Sequence, residues 1–176
     1  MADRKDLKSR RHRDDDTGEH TLADAGQLTL FILFMAVWIS DAFFLKYSTL
    51  LNDYISNNVK IPLGIVILMI AGYMGWDGMR TAFGPVGVTP RVINQGVYGF
   101  VRHPIYISEI LLYLGLIFLN TSLAAIGVWV IGIGFMYYIS RYEERLLLER
   151  FGDEYRKYMK DVPMYFPRIF RKKTKE

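Results

Sequence analysis

Arg102 and His103 stand side by side against a long apolar segment, in the run Gly96-Val-Tyr98-Gly99-Phe-Val-Arg102-His103-Pro104-Ile105-Tyr106. Ionisable groups at membrane depth are costly, so each is a candidate for function. A guanidinium and an imidazole at such a boundary can hold an anionic group, or they can reach out as an interfacial pair to lipid phosphate; the spacing alone leaves both open. Beyond two more apolar runs comes Arg141-Tyr-Glu143-Glu144-Arg145-Leu-Leu-Leu-Glu149-Arg-Phe151-Gly152-Asp153-Glu-Tyr155. Its glutamates can serve a site or belong to a solvated face, for which the opposite charges four apart at Arg145 and Glu149 speak. Adjacent helical residues point about 100° apart, so Glu143 and Glu144 are not expected to touch the same ligand atom.

Glu109 lies about a turn and a half beyond His103 in the apolar segment that Pro104 opens. It can bind a cationic or amine group, accept a proton, or pair structurally with Arg141 or another basic group. Asp41 and Lys46 are close enough in sequence to satisfy each other within the first apolar run, and Trp76 and Asp77 read as interfacial. Gly96 and Gly99 can let the backbone approach a ligand or can simply form turns.

These side chains must be held by membrane helices. Of 176 residues, 51% are hydrophobic and 15% aromatic, which is too apolar for an ordinary soluble domain of this size. The apolar residues fall in four blocks, 27–51, 61–79, 105–119 and 122–140, each approaching or reaching the ~20 residues that span ~30 Å of hydrocarbon. The expected fold is therefore all-α and polytopic, with about four transmembrane helices in two hairpins. Pro104 suits the first turn of the third, and Asn120-Thr121-Ser122 leaves only a tight turn before the fourth. Gly152 can end that helix and Asp153 can cap a short amphipathic one carrying Tyr155, Tyr158 and Met159 on one face, with Lys157 and Lys160 toward headgroups or water. That helix would be a lid or a plain surface anchor, followed by an extended strap through Val162, Pro163 and Pro167. Residues 1–24 read as a disordered charged tail, 25–168 as the membrane domain and 169–176 as a basic tail.

Lys and Arg sort the helix ends: six lie in the first thirteen residues, three between Arg80 and Arg102, and eleven from Arg141 to Lys175, against Lys46 and Lys60 alone for the other side. The positive-inside rule then puts both termini and the central loop in the cytoplasm. The net charge of +4 follows from that topology and from attraction to anionic lipid, not from a nucleic-acid surface. No cleavable signal is expected. The absence of cysteine rules out disulfides, thiolate nucleophiles and cysteine metal sites; no metal site is expected.

The two blocks, Arg-His-Pro-x-Tyr at 102–106 and Glu-Glu…Phe-Gly-x-x-Tyr at 143–155, occur in an order and separation that resembles the isoprenylcysteine carboxyl methyltransferase and phospholipid N-methyltransferase superfamily of integral membrane enzymes. The resemblance covers roughly 83–168. It implies that the blocks close over S-adenosylmethionine, with Val92, Ile93, Tyr98, His103, Pro104, Ile105, Tyr106 and one or both of Glu143 and Glu144 around the cofactor. Arg91-Val92-Ile93 departs from the polar residues of some relatives. The donor's carboxylate would need a cation or N–H donors, its adenosine an apolar, aromatic wall, and its ribose hydroxyls or ammonium group a glutamate.

The expected function is methyl transfer at the cytoplasmic face to a lipophilic or lipid-borne acceptor that enters sideways from the bilayer. A carboxylate or thiolate acceptor would sit beside Arg102 or Arg141, whereas an amine acceptor would lose its proton to Glu109 or Glu143. Two alternatives stand beside this reading. Membrane sterol reductases that use NADPH carry a related C-terminal half, although they have further helices, and a non-catalytic scaffold could use Arg-His-Pro for headgroups alone.

Overall fold

The computed structural model of the chain describes residues 25–52, 54–83 and 92–166. The expected N-terminal tail, most of the loop after the second helix including Arg91, and the basic tail with Pro167 lie outside the described residues. Within them the fold is all-α: α1 Ala25–Leu45, α2 Asn57–Phe83, α3 Pro104–Leu119, α4 Leu123–Phe151 and α5 Asp153–Asp161. Three helices, α1, α2 and α4, are long and apolar enough to cross a membrane, whereas α3 has 16 residues. The four apolar helices are thus as expected, but only three reach full spanning length.

Most of the surface of these helices is apolar, with side chains such as Phe44, Met69, Tyr73, Ile131 and Tyr138 exposed, as lipid-facing surfaces are. The core lies between α1, α3 and α4. Leu30, Phe34, Trp38 and Ala42 repeat every four residues on α1 and pack with Tyr113 and Ile117 of α3 and with Ala125, Met136 and Ile139 of α4. Phe34 stacks on Tyr113 with ring centroids 4.2 Å apart. Hydrophobic driving force is absent between lipid-immersed helices, so close approach depends on small residues. On α2, Gly64, Ala71, Gly75 and Gly78 face α3: a Cβ at Gly64 would lie 3.0 Å from the Gly115 carbonyl oxygen, and one at Gly78 3.1 Å from Ile105 Cγ1. The close α2–α3 pairing therefore joins the two expected hairpins.

At the end of the bundle where α1 and α3 finish, polar turn residues form a clasp. The last six residues of α1, Ser40–Leu45, wind as a π-helix and stop at Lys46 in the left-handed region, φ 54°. This ends α1 six residues before the expected Leu51. Asp41 does not pair with Lys46, contrary to the sequence expectation. It accepts hydrogen bonds from the Ser48 amide at 3.1 Å, the Ser48 hydroxyl, and the Ser122 hydroxyl at 2.5 Å. The same Ser122 caps α4 by accepting from the Ala125 amide. Asn52 accepts from Lys60 Nζ at 2.8 Å and from the Thr121 amide at 2.9 Å, and donates to Asn120. Trp38 Nε1 donates to the Asn120 carbonyl at 3.1 Å.

The other end is set by α4. Its buried residues Ala125, Gly132, Met136, Ile139 and Ser140 continue along the same face to Glu144, which carries the core-facing stripe beyond Ser140 into the polar zone. Gly152, at φ 55°, breaks α4 from α5. No side chain caps α5; Asp153, expected as the cap, is its first helical residue and accepts instead from Arg156 at 2.8 Å.

Candidate active site

The two sequence blocks meet where α3 begins and α4 emerges from the core. His103 is the N-cap residue of α3, and Pro104 takes the first helical position, where the missing N–H costs nothing. Before them a 3-10 turn, Gly96–Gly99, is tied to α2 because the Val97 amide donates to Asp77 Oδ2 at 2.8 Å. Gly96 has φ 56°, and a Cβ there would lie 2.5 Å from that oxygen, so turn formation against Asp77 explains this glycine.

Glu144 is the centre of the cluster, 2% exposed. Its Oε1 accepts from Arg102 Nε at 2.7 Å, lies 2.7 Å from Arg102 Nη2, and is 3.3 Å from His103 Nε2. Glu143 is on the rim: its Oε2 is 3.6 Å from His103 Nδ1, and its Oε1 accepts from the Tyr106 hydroxyl. Tyr106 also stacks on the His103 ring, centroids 5.7 Å apart. Arg141 Nη1 is 3.6 Å from Glu144 Oε2. At that distance there is attraction but no hydrogen bond, and Glu144 Oε2 is buried without any hydrogen-bond partner. Burial by itself would lower the His103 pKa, but hydrogen bonds and charge from Glu143 and Glu144 prevail and raise it above the ordinary value, favouring the imidazolium.

A lid covers this cluster. Tyr155, Tyr158 and Val162 form a small apolar core with Val92, Leu147, Leu148, Phe151 and Met159. Arg102 fastens it: Nη1 donates to the Met159 and Val162 carbonyls, both at 2.9 Å, and its amide donates to Pro163 O at 3.0 Å. The Tyr158 hydroxyl donates to Tyr98 O at 2.7 Å. Burial, and then the charge of Glu143, push the Tyr98 phenol up to about 12.

Of the residues singled out in the sequence, Arg102, His103, Tyr106, Arg141, Glu143 and Glu144 come together, with Tyr98 joined through the lid. Three also make contacts that the sequence did not foretell. Arg102 does not stand free for an acceptor, since Nε, Nη1 and Nη2 are all engaged by Glu144 and the lid. Glu109 accepts from the Tyr113 hydroxyl on its own helix and makes no ion pair with Arg141. Ile105 packs against Gly78 of α2. Val92 packs on the lid core, Pro104 is buried beside Gly78, and Ile93 is half-buried. Sequence reasoning missed Ser140 and Tyr165, whose hydroxyls lie 2.7 Å apart. A serine at the end of the apolar 122–140 run and a tyrosine two residues after Pro163 were the available signals.

The family model for phospholipid methyltransferase matches residues 59–154, from the start of α2 through the glutamate pair to the start of the lid. The chain belongs to that family. The arrangement just described thus lies within a membrane methyltransferase framework, and the protein is an integral membrane protein. A curated relative, the cobalt-zinc-cadmium resistance protein CzcN of Cupriavidus metallidurans, is 34% identical over 79 residues. The match covers 44% of this chain and 36% of that protein, so the chain spans about a third of its relative's length. No solved structure matches the chain.

Proposed function

We propose that the protein is an S-adenosylmethionine-dependent methyltransferase that acts at the cytoplasmic face on a lipophilic or lipid-borne acceptor. The observation that carries this reading is Glu144 Oε2, a carboxylate oxygen that is buried, accepts no hydrogen bond, has only the more distant Arg141 guanidinium for attraction, and lies inside the family's matched region. A buried acceptor without a donor is destabilising, and an ammonium or hydroxyl group of a ligand would satisfy it. The aromatic and cationic surroundings, Tyr98, Tyr106, His103 and Arg141, suit the rest of such a ligand.

S-adenosylmethionine, when bound, supplies an activated methyl group. The chain's residues would do the remainder. Glu144 would accept hydrogen bonds from the donor, and His103, held charged between two carboxylates, would face its anionic group. Arg102 would keep the lid over the cluster and water out of it. Arg141, exposed at the rim, would steady an anionic acceptor. Glu109, with Tyr113 holding one oxygen, would position an amine acceptor and take its proton.

Calorimetry in detergent tests the donor: the expected affinity is micromolar, roughly 7 to 8 kcal/mol. Binding of NADPH, with neither S-adenosylmethionine nor its demethylated product bound, would replace this reading with a reductase. Incubation of the purified protein with labelled methyl donor and a membrane extract would name the acceptor. Glu109→Gln is expected to leave donor affinity near normal while slowing transfer, most of all to an amine. Unchanged turnover would reduce Glu109 to a structural partner of Tyr113. For orientation, reporters fused at either terminus should read cytoplasmic and one inserted near Asn57 or Asn120 should not.

A further inference from the structure

Beyond Val162 the chain forms a strap whose two halves are held very differently. Where the strap leaves α5, Arg102 makes three hydrogen bonds to main-chain carbonyls, those of Met159 in α5 and of Val162 and Pro163 after it, two of them from a charged group. Two residues further on, Tyr165 turns back onto the bundle and shares one neutral hydrogen bond with Ser140, at 2.7 Å. Ser140 is fully buried on α4, one turn before Glu144. Charge-assisted hydrogen bonds are about twice as strong as neutral ones, so the strap gives way first at Tyr165.

The ring of Tyr165 occupies a telling position. Its centroid is 6.1 Å from the His103 imidazole, edge to face, and 6.5 Å from the ring of Tyr137. Tyr137 is half exposed on the outer surface of α4, whereas His103 is buried. Three rings therefore lead from the lipid-facing surface to the ionic cluster, and Tyr165 is the middle one. A phenol suits that place, because its apolar body packs against rings while its hydroxyl keeps a polar partner.

We propose that Tyr165 is the gate through which an amphiphilic acceptor passes its head group from the bilayer to His103 and Glu143, and that the Ser140 hydroxyl is the latch that holds the gate closed. The apolar tail of such an acceptor stays in lipid beside Tyr137. This rests on the reading that the His103 cluster is where transfer occurs. Rotation of one side chain, with Arg102 still holding the lid, opens the lateral route without exposing the cluster to water. Tyr165 is thus a selecting residue, and the size of the head group that enters is set by how far its ring can swing.

The chain has no cysteine, so His103→Cys introduces a unique thiol in the buried cluster. The test is its labelling rate in the full chain reconstituted in lipid nanodiscs, by apolar N-ethylmaleimide and by a charged, sulfonated maleimide. Adding Tyr165→Phe, which keeps the ring and removes the latch, is expected to speed labelling by N-ethylmaleimide several-fold, and Tyr165→Ala tenfold or more. The charged reagent is expected to gain little. Where His103→Cys does not give folded protein, Tyr106→Cys, buried against the same imidazole, takes its place. Unchanged rates in both Tyr165 variants, or equal acceleration by the charged reagent, would overturn the gate. Failure of the unmodified chain to bind S-adenosylmethionine would instead overturn the functional reading, while the labelling result would still decide the gate.

Discussion

At one end of the bundle Asp41 is buried with a hydrogen-bond donor for each oxygen; at the other Glu144 is buried with its donors crowded on one oxygen and none on its twin. The first arrangement joins α1, the turn after it and the start of α4 through hydroxyl and amide groups. The second joins the start of α3, the end of α4 and the lid through ion pairs. A buried polar group that serves only architecture is expected to be satisfied by the protein itself. One left unsatisfied is a place where the fold tolerates a cost that a ligand can remove. The two ends thus separate a clasp from a candidate site, although both are built on a carboxylate of a long apolar helix.

The sharpest way to break the comparison is Arg102→Ala. It leaves Glu144 buried with one strong partner lost and unfastens the lid, and breaking a buried pair costs about 3–5 kcal/mol. The expected outcome is a lowered thermal midpoint together with proteolysis within the 153–166 lid. A native midpoint with an intact lid would show that the tyrosine contacts hold α5 unaided.

Next in size is Asp41→Ala: it also removes the buried charge itself, so the three donors it leaves can turn to other acceptors or water, and the net loss is expected to be that of about one charge-assisted hydrogen bond, roughly 1.5–3 kcal/mol. Stability should fall by that much while S-adenosylmethionine affinity stays unchanged. Loss of affinity without loss of stability would make the clasp part of the site.

His103→Ala and Glu143→Ala should do the converse. Each is expected to weaken S-adenosylmethionine about tenfold or more by loss of a charge-assisted hydrogen bond, with the chain still folded, as calorimetry and chromatography would show. Normal affinity in both would move the cofactor elsewhere.

The smallest effect is in pH. The His103 pKa is raised in the folded chain, so its ion pairs stabilise fully below the unfolded value of about 6.5. That contribution is lost as pH rises through the raised folded value. The melting midpoint of the unmodified chain should therefore fall, relative to His103→Gln, as pH is raised from about 6. No change in the difference would mean that the imidazole titrates alike in the folded and unfolded chain, and a rise that it is neutral when folded.

The meeting of Arg102 and His103 with Glu143 and Glu144 was implied by the resemblance of the two blocks, and the charges flanking the apolar runs are consistent with it. Which glutamate is buried was not legible in the sequence. It depends on the core stripe of α4 running on from Ser140 to Glu144, and that stripe is hidden when lipid-facing residues are as apolar as the core. The α2–α3 contact through Gly64, Gly75 and Gly78 was unreadable for the same reason, since close helix approach leaves no hydropathy signal. Asp41 was assigned to Lys46 from nearness along the chain, but α1 widens and stops at Lys46, and Ser48 and Ser122 arrive from turns that read only as polar loops. Arg102 was expected to face a substrate because a cation there was conspicuous, whereas the carbonyls that claim it have no side-chain signature.

The shortness of α3 has a mechanical consequence. Its 16 residues rise roughly 24 Å, against ~30 Å of hydrocarbon. α3 is therefore shorter than the hydrocarbon is thick, while the 29-residue α4 beside it is long enough to pass through. The bilayer must thin locally over α3 or let headgroups sink toward it, at a cost of fractions of a kcal/mol per ångström. A thicker membrane raises that cost, so bilayer thickness bears on how much of α3 the surrounding lipid can cover.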